Sequence, residues 1–337
     1  MTTIQDVATR AGVAPITVSR VLNRSGYVSE STRQRVEAAA AELDYVPNLL
    51  ARGLRSNRTN TLALVLTDIT NPFWTTVARG VEDAARARGF SVILCNTDEN
   101  EAKQEQYVDV LIRKRMDGFL LAPARSTPEP IRKIQKQADA PVVVLDRRIM
   151  DAQVDLVCGD SYGGSYALTQ YLLQLGHRRI GILSGPQTVS TSVERVQGCI
   201  DAMQEANIEN GAEFVQFGEY TVEGGYSMMQ QMLARQPHPT AIFATNNFIA
   251  IGALQHLRKV GLRVPQDISL VGFDDLPLSW NTEPFLTVAV QPAYQIGQQG
   301  ADLLMDRIAN SAAADPQEIV LPAELIIRQS CQPIGNQ

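Results

Sequence analysis

Residues 61–67, TLALVLT, open a series of short apolar runs that alternate with helical stretches. The runs SVILCN, GFLLA and PVVVLD follow in turn, separated by segments with helical character at 73–89, 101–115 and 129–138. Strands that are apolar on both faces indicate a parallel sheet covered by helices on each side. Since crossovers between parallel strands are right-handed, the series predicts a doubly wound α/β layer.

A second series of the same kind extends from DLVCGD at 155–160 to ISLVGFD at 268–274. Its inner strands are RIGILSG, EFVQF and TAIFATN, and its helical stretches are 162–176, 191–207, 223–235 and 248–260. The run LTVAV, a helix at 293–309 and a last strand near ELIIR complete the pattern. Two such series predict two similar lobes with a cleft between them.

The first 45 residues predict three short helices of a separate unit. Gly12 interrupts the first helix, and Pro15 suits the start of the second because its missing N–H costs nothing there. Ser29 is a suitable N-cap for the third helix, and Pro47 ends the unit. This spacing is typical of a helix-turn-helix, whose second helix lies in the DNA major groove.

Several side chains of this unit are candidates for DNA contacts. Arg20 can pair with guanine through two hydrogen bonds, and Ile16 can contact a thymine methyl group. The other polar residues suit phosphates, which position a protein on DNA without specifying the sequence. The candidates are Pro15, Ile16, Thr17, Ser19, Arg20, Asn23, Thr32 and Asn48. The alternative is a small three-helix cap with a solvated arginine face.

The charge is distributed unevenly along the 337 residues. Residues 1–58 hold eight Arg, no Lys and five acidic residues, a net charge of +3. The total is -6, so the remaining chain carries -9. A basic head on an acidic body predicts that the N-terminal unit meets any polyanionic partner.

The composition excludes several classes of protein. With 45% hydrophobic and 20% charged residues, the chain is neither disordered nor collagen-like nor a coiled-coil rod. Its four cysteines are scattered, which predicts neither a disulfide framework nor a zinc site. No signal peptide, membrane span, nucleotide-binding or zinc-protease motif is apparent. We expect a cytoplasmic protein without cofactor or metal.

Polar side chains follow the carboxyl ends of the predicted strands. Ligands of open parallel sheets bind at these ends. Carboxylates, amides, a guanidinium group and aromatic faces together suit a small molecule with many hydroxyl groups. The residues are Asp68, Asn71, Phe73, Trp74, Asp146, Arg147, Asn246, Asn247, Asp274, Asp275 and Gln291. Each of them taken singly is equally consistent with an ordinary turn, since Asn and Asp favour turns.

One alternative interpretation of the sequence is that the protein is an enzyme, a serine hydrolase. Residues 159–163, GDSYG, match G-x-S-x-G between a strand and a helix, which would make Ser161 a nucleophile. His177 follows only 16 residues later, and no HGGG-like oxyanion loop precedes the motif. We therefore expect that the protein is not an enzyme.

Long stretches of the chain resemble the LacI/GalR (lactose-repressor) family of bacterial transcription regulators. The resemblance rests on TIQDVATRAGVAPITVSRVLN, NPFW, MDGFLLAP, PVVVLDR, LGHRRIGILSGP, ERVQG, PTAIFATNN, GLRVPQDISLVGFDD and IGQQGADLL. It implies a homodimer that binds a near-palindromic operator and a periplasmic-binding-protein-like core that senses a small effector. It also implies that the segment near 70–90 carries much of the dimer contact.

The resemblance assigns further residues. The stretch YVPNLLARGL, which contains Arg52, resembles the family's hinge helix, which would fold only on DNA while Leu54 enters the minor groove. Arg195 joins the strand-end residues in the implied effector pocket. That pocket comprises Asn71, Phe73, Trp74, Asp146, Arg147, Arg195, Asn246, Asp274 and Gln291. Asp146 and Arg147 resemble a sugar-hydroxyl clamp, whereas Arg195 could also meet the carboxylate of a sugar acid.

Two positions depart from the family pattern. Asn247 stands where the family usually has Asp, which removes a charge beside the pocket. Ala14 and Pro15 replace a frequent Ser at the start of the recognition helix. The operator sequence and the class of effector therefore need not match those of well-known members.

The expected domain boundaries follow from these patterns. We expect a helix-turn-helix headpiece at 1–46, a hinge at 47–59 and an effector-binding, dimerising core at 60–335. Within the core, the N-lobe comprises about 60–160 and 291–320, and the C-lobe about 161–290 and 321–332. The expected function is repression of a carbohydrate-use operon, controlled by a sugar or sugar acid. A solute-binding protein without a DNA role is the other alternative.

The hinge assignment can be tested by the substitution Leu54→Ala. An apolar wedge helps to bend the duplex, so its loss should weaken operator binding strongly while effector affinity stays nearly unchanged. A gel-shift titration at fixed salt measures the effect. Equal operator affinity of the variant and the wild type would refute the assignment.

Overall fold

The computed structural model describes residues 2–22, 25–46, 58–208, 211–276, 283–310 and 315–334. The chain divides into two compact units, Met1–Thr59 and Asn60–Gln337. Four candidate DNA-contacting residues lie outside the described residues, and their roles stay predictions. They are Asn23, Asn48, Arg52 and Leu54.

The first unit contains three described helices around a small apolar core. The helices are α1 (Ile4–Ala11), α2 (Pro15–Leu22) and α3 (Glu30–Glu42). Val7, Val18 and Val36, one from each helix, are fully buried against one another. Gly12 follows α1 with φ 64°, a left-handed conformation that glycine adopts without steric cost. The backbone therefore turns between α1 and α2 as the sequence predicts.

The predicted N-cap position of α3 is confirmed, but without the side-chain hydrogen bond that such a cap usually makes. Ser29 is the N-cap residue of α3, but its side chain makes no capping hydrogen bond to the helix backbone. Its hydroxyl donates to Thr32 Oγ1 at 2.9 Å instead. The side-chain cap found in this unit is on α1, where Thr3 and Asp6 bond reciprocally to each other's backbone N–H.

The second unit consists of alternating strands and helices. Its described strands are β1 (Thr61–Leu66), β2 (Ser91–Asn96), β3 (Gly118–Leu121), β4 (Val142–Leu145), β5 (Asp155–Gly159), β6 (Ile180–Ser184), β7 (Val215–Phe217), β8 (Ala241–Ala244), β9 (Ser269–Phe273), β10 (Thr287–Val290), β11 (Glu318–Leu321) and β12 (Glu324–Ile326). Its described helices are α4 (Pro72–Ala87), α5 (Glu101–Arg113), α6 (Glu129–Ala138), α7 (Ser161–Gln174), α8 (Ser190–Glu205), α9 (Val222–Leu233), α10 (Asn247–Lys259) and α11 (Ala293–Ala309), with a 3₁₀ turn at Gly211–Phe214.

The described strands form two six-stranded sheets, one in each lobe. The first lobe has the order β11-β5-β4-β3-β1-β2, and the second has β12-β10-β9-β8-β6-β7. Helices α4 and α11 cover one face of the first sheet and α5 and α6 the other, so apolar clusters lie on both faces. The second sheet is likewise enclosed by α7 and α8 on one face and α9 and α10 on the other. This confirms the doubly wound α/β architecture.

Three strands differ from the prediction. Strand β5, which opens the second series in the sequence, lies in the first sheet beside β4. Strand β11 was not predicted, and its residues alternate between exposed and half-buried. Strand β12 pairs antiparallel with β10, with Val288 opposite Ile326, whereas a parallel sheet was expected. Only residues 322–323 connect the two strands. Strand β11 ends at the cleft, and the chain enters the second sheet there. Strand β12 therefore runs away from the cleft, antiparallel to β10.

Close helix contacts depend on glycine where α4 crosses α11. A Cβ added at Gly297 would overlap the carbonyl oxygen of Val77, and one at Gly80 would overlap that of Tyr294. The two helices can approach this closely because neither presents a side chain at the crossing. Their contact buries apolar residues such as Val81 and Ile296 between the helices and the first sheet.

The sequence predicts no helix that spans a membrane. None of the helices within the described ranges is long and apolar enough to cross a bilayer.

The substitution Gly297→Ala tests the close crossing. We expect a loss of about 3 kcal/mol in the free energy of unfolding, the upper part of the usual range for overpacking, because backbone atoms must move. Urea denaturation of the whole protein measures this loss. The control Gly89→Asn lies in open space at φ 77°, which Asn tolerates, and should change the stability little. A loss as small at Gly297 as at Gly89 would contradict the proposed packing.

Candidate functional site

A cavity lies between the two sheets of the second unit, at the carboxyl ends of their strands. It encloses about 400 Å³, counting the part that is open to solvent. The structure brings all nine predicted effector residues together around it: Asn71, Phe73, Trp74, Asp146, Arg147, Arg195, Asn246, Asp274 and Gln291. Asp68, Glu99, Thr191, Tyr220 and Phe248 complete the described lining.

Two aspartates occupy equivalent positions in the two lobes. Asp146 follows β4 with φ 66°, and Asp274 follows β9 with φ 62°. The N–H of Asp146 donates to Val157 O at 2.9 Å, and that of Asp274 donates to Ala289 O at 2.8 Å. Each bond joins the end of one strand to its neighbour. The left-handed backbone, which Asp tolerates better than most residues, turns the chain at the cleft and leaves both carboxylates on the cavity.

Two asparagines are likewise equivalent as helix caps. Asn71 Oδ1 accepts from the N–H of Phe73 at 3.1 Å at the start of α4. Asn246 Oδ1 accepts from the N–H of Phe248 at 2.8 Å at the start of α10. The caps fix both amides at the rim of the cavity, because the N-cap geometry determines the side-chain direction.

Burial dominates the electrostatics of the two carboxylates. Burial raises the pKa of Asp274 to about 6, and the attraction of Arg195 only partly offsets it. Burial also raises the pKa of Asp146, against the attraction of Arg195 and Arg147. Asp274 accepts hydrogen bonds from the N–H and the amide of Gln291, whereas Asp146 Oδ1 has no partner among the described residues.

The two guanidinium groups are held by the protein in different ways. Both terminal nitrogens of Arg147 donate to the Glu99 carboxylate at 2.6 Å, and one also donates to Pro123 O at 2.9 Å. Arg195 donates from Nε to Ser161 Oγ at 3.2 Å and from a terminal nitrogen to Thr245 O at 2.8 Å. Its guanidinium carbon lies 3.8 Å from the centre of the Phe273 ring.

Aromatic rings form part of the same wall. Phe73 and Trp74 are buried and contact edge to face, with ring centroids 4.8 Å apart. Tyr220 approaches from the second lobe, where its hydroxyl lies 2.6 Å from Ser192 Oγ. Rings of this kind can stack under the C–H faces of a sugar.

Sequence reasoning missed Glu99 and Tyr220. The strand-end rule was not applied to β2, after which Asp98 and Glu99 follow, nor to β7, after which Tyr220 follows. Applied to every strand, it would have found both residues. Thr191 and Phe248 lie inside predicted helices and gave no comparable signal.

Asn247 does not line this cavity but joins the two lobes beside it. Its amide and that of Asn71 exchange two hydrogen bonds of 3.0 Å each. Asn247 Nδ2 also donates to Asp275 O at 3.2 Å. An Asp at this position could accept from Asn71 but could donate to neither oxygen. The departure from the family pattern therefore creates a neutral contact between the lobes.

The structure gives no support to a catalytic Ser161. This residue is buried at the start of α7, and its hydroxyl accepts from Arg195. The His177 ring nitrogens lie within hydrogen-bond distance of Thr240 Oγ1 and Gln332 O. Among the described residues, no histidine forms a hydrogen bond with Ser161.

The described candidates for DNA contact lie mainly on α2 of the first unit. Pro15, Ile16 and Arg20 are exposed, and 55% of the Ile16 surface is accessible although the residue is apolar. Thr17 and Ser19 on the same helix are partly exposed, as is Thr32 on α3. The exposed face of α2 thus carries the predicted base-contacting side chains.

The fold and the cavity define a class of protein: a two-lobed small-molecule-binding core preceded by a helix-turn-helix unit. The family comparisons agree with it. Residues 3–48 match "Bacterial regulatory proteins, lacI family", and residues 59–329 match "Periplasmic binding proteins and sugar binding domain of LacI family". The chain belongs to the LacI family, which confirms the resemblance. It is a DNA-binding transcriptional repressor with a ligand-binding domain.

Similar proteins span almost the whole chain. The HTH-type transcriptional repressor PurR of Proteus mirabilis (strain HI4320) is 37% identical over 331 residues, covering 98% of this chain and 97% of that protein. The ribose operon repressor of Escherichia coli (strain K12) is 39% identical over 311 residues, covering 91% and 93%. The Lac repressor dimer bound to operator and the anti-inducer ONPF has a TM-score of 0.86 at 27% identity, covering 98% and 99%.

The substitution Asp274→Asn tests the raised pKa of this carboxyl. The pKa is about 6 in the folded state, against 3.8 for an ordinary Asp carboxyl, so the folded protein binds this proton more tightly than the unfolded chain does. The free energy of unfolding therefore falls as the pH rises through this interval, and the variant escapes this loss. From pH 4.5 to 7.5 we expect the variant to gain about 2 kcal/mol relative to the wild type.

Urea denaturation across this pH range measures the difference. The control is Asp267→Asn, because Arg263 hydrogen-bonds Asp267 and lowers its pKa. The control difference should stay constant from pH 5 to 8. A similarly constant difference for Asp274→Asn would disprove the raised pKa.

Proposed function

We propose that the protein represses a carbohydrate-use operon, that it binds a near-palindromic operator as a homodimer, and that a small sugar or sugar acid in the cavity controls this binding. The observation that carries the proposal is a set of buried polar atoms without hydrogen-bond partners among the described residues. Asp146 Oδ1, Arg147 Nε and Gln291 Oε1 belong to this set and to the cavity lining. An unpaired buried polar group is costly, and a ligand that pairs with it gains that energy.

The chemistry of these atoms favours a ligand with several hydroxyl groups. Carboxylate and amide oxygens accept from hydroxyls, while the guanidinium Nε donates to them. The adjacent Phe73 and Trp74 offer apolar faces for the C–H side of a sugar ring. One relative is a ribose operon repressor, and this name supports a sugar as the effector. The name of the PurR relative states no ligand class.

The headpiece supports the DNA role. It matches the family's regulatory head over residues 3–48, which a solute-binding protein without a DNA role would not need. Exposed Ile16 and Arg20 would contact base edges in the major groove. The similarity to an operator-bound Lac repressor dimer supports two copies on one operator.

The first lobe offers a surface for the homodimer. Strand β2 is an edge strand, and its Ile93 and Leu94 are 36% and 43% exposed. Helix α4, within the segment near 70–90, packs beside this strand. Exposed apolar residues on an edge strand suit burial against a second copy.

The lobes are joined by polar contacts that effector binding could alter. Beside the Asn71–Asn247 pair, Arg148 Nε of the first lobe donates to Glu194 Oε1 of the second at 2.8 Å. A ligand that changes the angle between the lobes would change the spacing of the two hinges in a dimer. Effector and operator would then influence each other's affinity reciprocally.

A thermal-shift screen of sugars, sugar acids and nucleobases tests the proposed effector class. A ligand that binds the folded protein raises the melting temperature by mass action. Any hit is then added to a gel shift with promoter fragments and bulk competitor DNA. A hit among nucleobases alone, or no preference for any promoter fragment, would contradict the proposal.

The substitution Asp146→Asn tests whether the cavity is the effector site. Hydrogen bonds to charged groups contribute about 1.5–3 kcal/mol, so we expect sugar affinity to fall by roughly tenfold to a hundredfold. Operator affinity without effector should stay unchanged. The control Asp151→Asn alters an exposed carboxylate outside the cavity lining and should bind sugar as the wild type does. Isothermal titration measures both, and unchanged affinity at Asp146 would exclude the site.

A further inference from the structure

We propose that Glu99 sets the charge class of the effector: by pairing with Arg147 it makes the cavity select a neutral polyhydroxylated ligand over the matching carboxylate. The inference rests on the proposed sugar or sugar-acid site and decides between the two ligand classes. It concerns a residue that does not belong to the predicted pocket. Glu99 acts through Arg147 and is therefore a positioning residue.

The Glu99–Arg147 pair is part of the cavity lining itself. Both terminal nitrogens of Arg147 donate to the two oxygens of Glu99 at 2.6 Å, and the guanidinium is 4% exposed. A third acceptor, Pro123 O, takes a further hydrogen bond from it. The end-on fork of the guanidinium, through which both terminal nitrogens would hold a ligand carboxylate, is thus already occupied, and its charge is already paired with Glu99. What Arg147 still offers is Nε, which has no partner among the described residues, and the second N–H of one terminal nitrogen.

The backbone holds Glu99 in place for this contact. Asp98 and Glu99 both have left-handed backbones, with φ 52° and 57°. The N–H of Glu99 donates to Thr67 O at 3.1 Å, which ties the turn after β2 to the end of β1. Two successive non-glycine residues in this region cost free energy, which the surrounding contacts must offset. The turn directs the carboxylate to Arg147, so that only 24% of the side chain is exposed.

The other charged groups of the cavity lining also favour a neutral ligand over a carboxylate. Among its described residues, four carboxylates face two guanidinium groups: Asp68, Glu99, Asp146 and Asp274 against Arg147 and Arg195. Arg195 already donates to Ser161 and Thr245. A bound carboxylate would add a further acidic group to a lining in which acidic groups already outnumber guanidinium groups. A neutral polyol would instead donate to the carboxylates.

Removing the charge of Glu99 should shift the ligand preference of the cavity from neutral ligands towards acids. The buried Arg147 would lose its bidentate partner, and an uncompensated buried charge is strongly unfavourable. A ligand carboxylate could take the place of the Glu99 carboxylate against Arg147. The variant Glu99→Gln is therefore expected to bind acids better, not simply to bind every ligand more weakly.

The test measures the dissociation constants of three matched pairs by isothermal titration: D-ribose and D-ribonate, D-xylose and D-xylonate, D-glucose and D-gluconate. For the pair that binds, the wild type should favour the aldose at least tenfold. Glu99→Gln should reduce this preference at least tenfold, through a gain in aldonate affinity that added salt weakens. The control Glu101→Gln removes a nearby exposed carboxylate that pairs with Arg125, and should leave the preference within twofold.

Each other outcome decides against the inference. A wild-type preference for the aldonate overturns it and leaves the proposed function intact, whereas failure of every aldose and aldonate to bind the wild type refutes the proposed function. An equal loss of aldose and aldonate affinity in Glu99→Gln would show that Glu99 only supports the structure of the cavity and does not select ligands by charge.

If the Glu99→Gln variant does not fold, Glu99→Met replaces it, because Met is of similar length and carries no charge. The double variant Glu99→Gln/Arg147→Gln should lose the gain in aldonate affinity, and its retention would show that Arg147 is not involved.

Discussion

The burial of two carboxylates at the cleft is the constraint on which the site depends. Asp146 and Asp274 lie at the ends of strands in opposite lobes, and burial raises the pKa of both. The charge of Asp146 also contributes to the raised pKa of Asp274, because like charges in a poorly solvated space repel. Ionising either carboxyl group at this place therefore costs free energy. Hydroxyl donors from a ligand would stabilise the ionised carboxylates and the closed lobes together, which links occupancy of the cavity to the geometry of the core.

This constraint follows from the way in which the chain builds each lobe. In a doubly wound sheet all carboxyl ends of parallel strands meet at one edge, so residues distant in sequence come together there. The two lobes repeat the same devices, with Asn71 and Asn246 as helix caps and Asp146 and Asp274 in left-handed turns. The lobes are also joined directly, by the Asn71–Asn247 amides among other contacts. A ligand between them can therefore act on their relative angle.

The strand-end rule shows how far sequence reasoning reaches into the site. It placed Asp146 and Asp274 correctly, because apolar runs mark the strands and polar residues mark their ends. It missed Glu99 because the rule was not applied to β2, although the run SVILCN predicts this strand. The strand prediction also missed β11, an edge strand whose residues alternate between exposed and half-buried. Edge strands are covered on fewer sides than central ones, so their composition carries a weaker signal.

The sequence by itself determined the number and type of most elements, the two-lobed α/β class and the set of side chains at the cleft. These properties depend on periodicity and on local turn chemistry, which act between neighbours in the chain. Only the tertiary structure decided that β12 runs antiparallel and that Arg147 already has a bidentate partner in Glu99. Such facts depend on contacts between segments far apart in sequence, as in the 48 residues that separate Glu99 from Arg147. No local pattern encodes which charges meet across that distance.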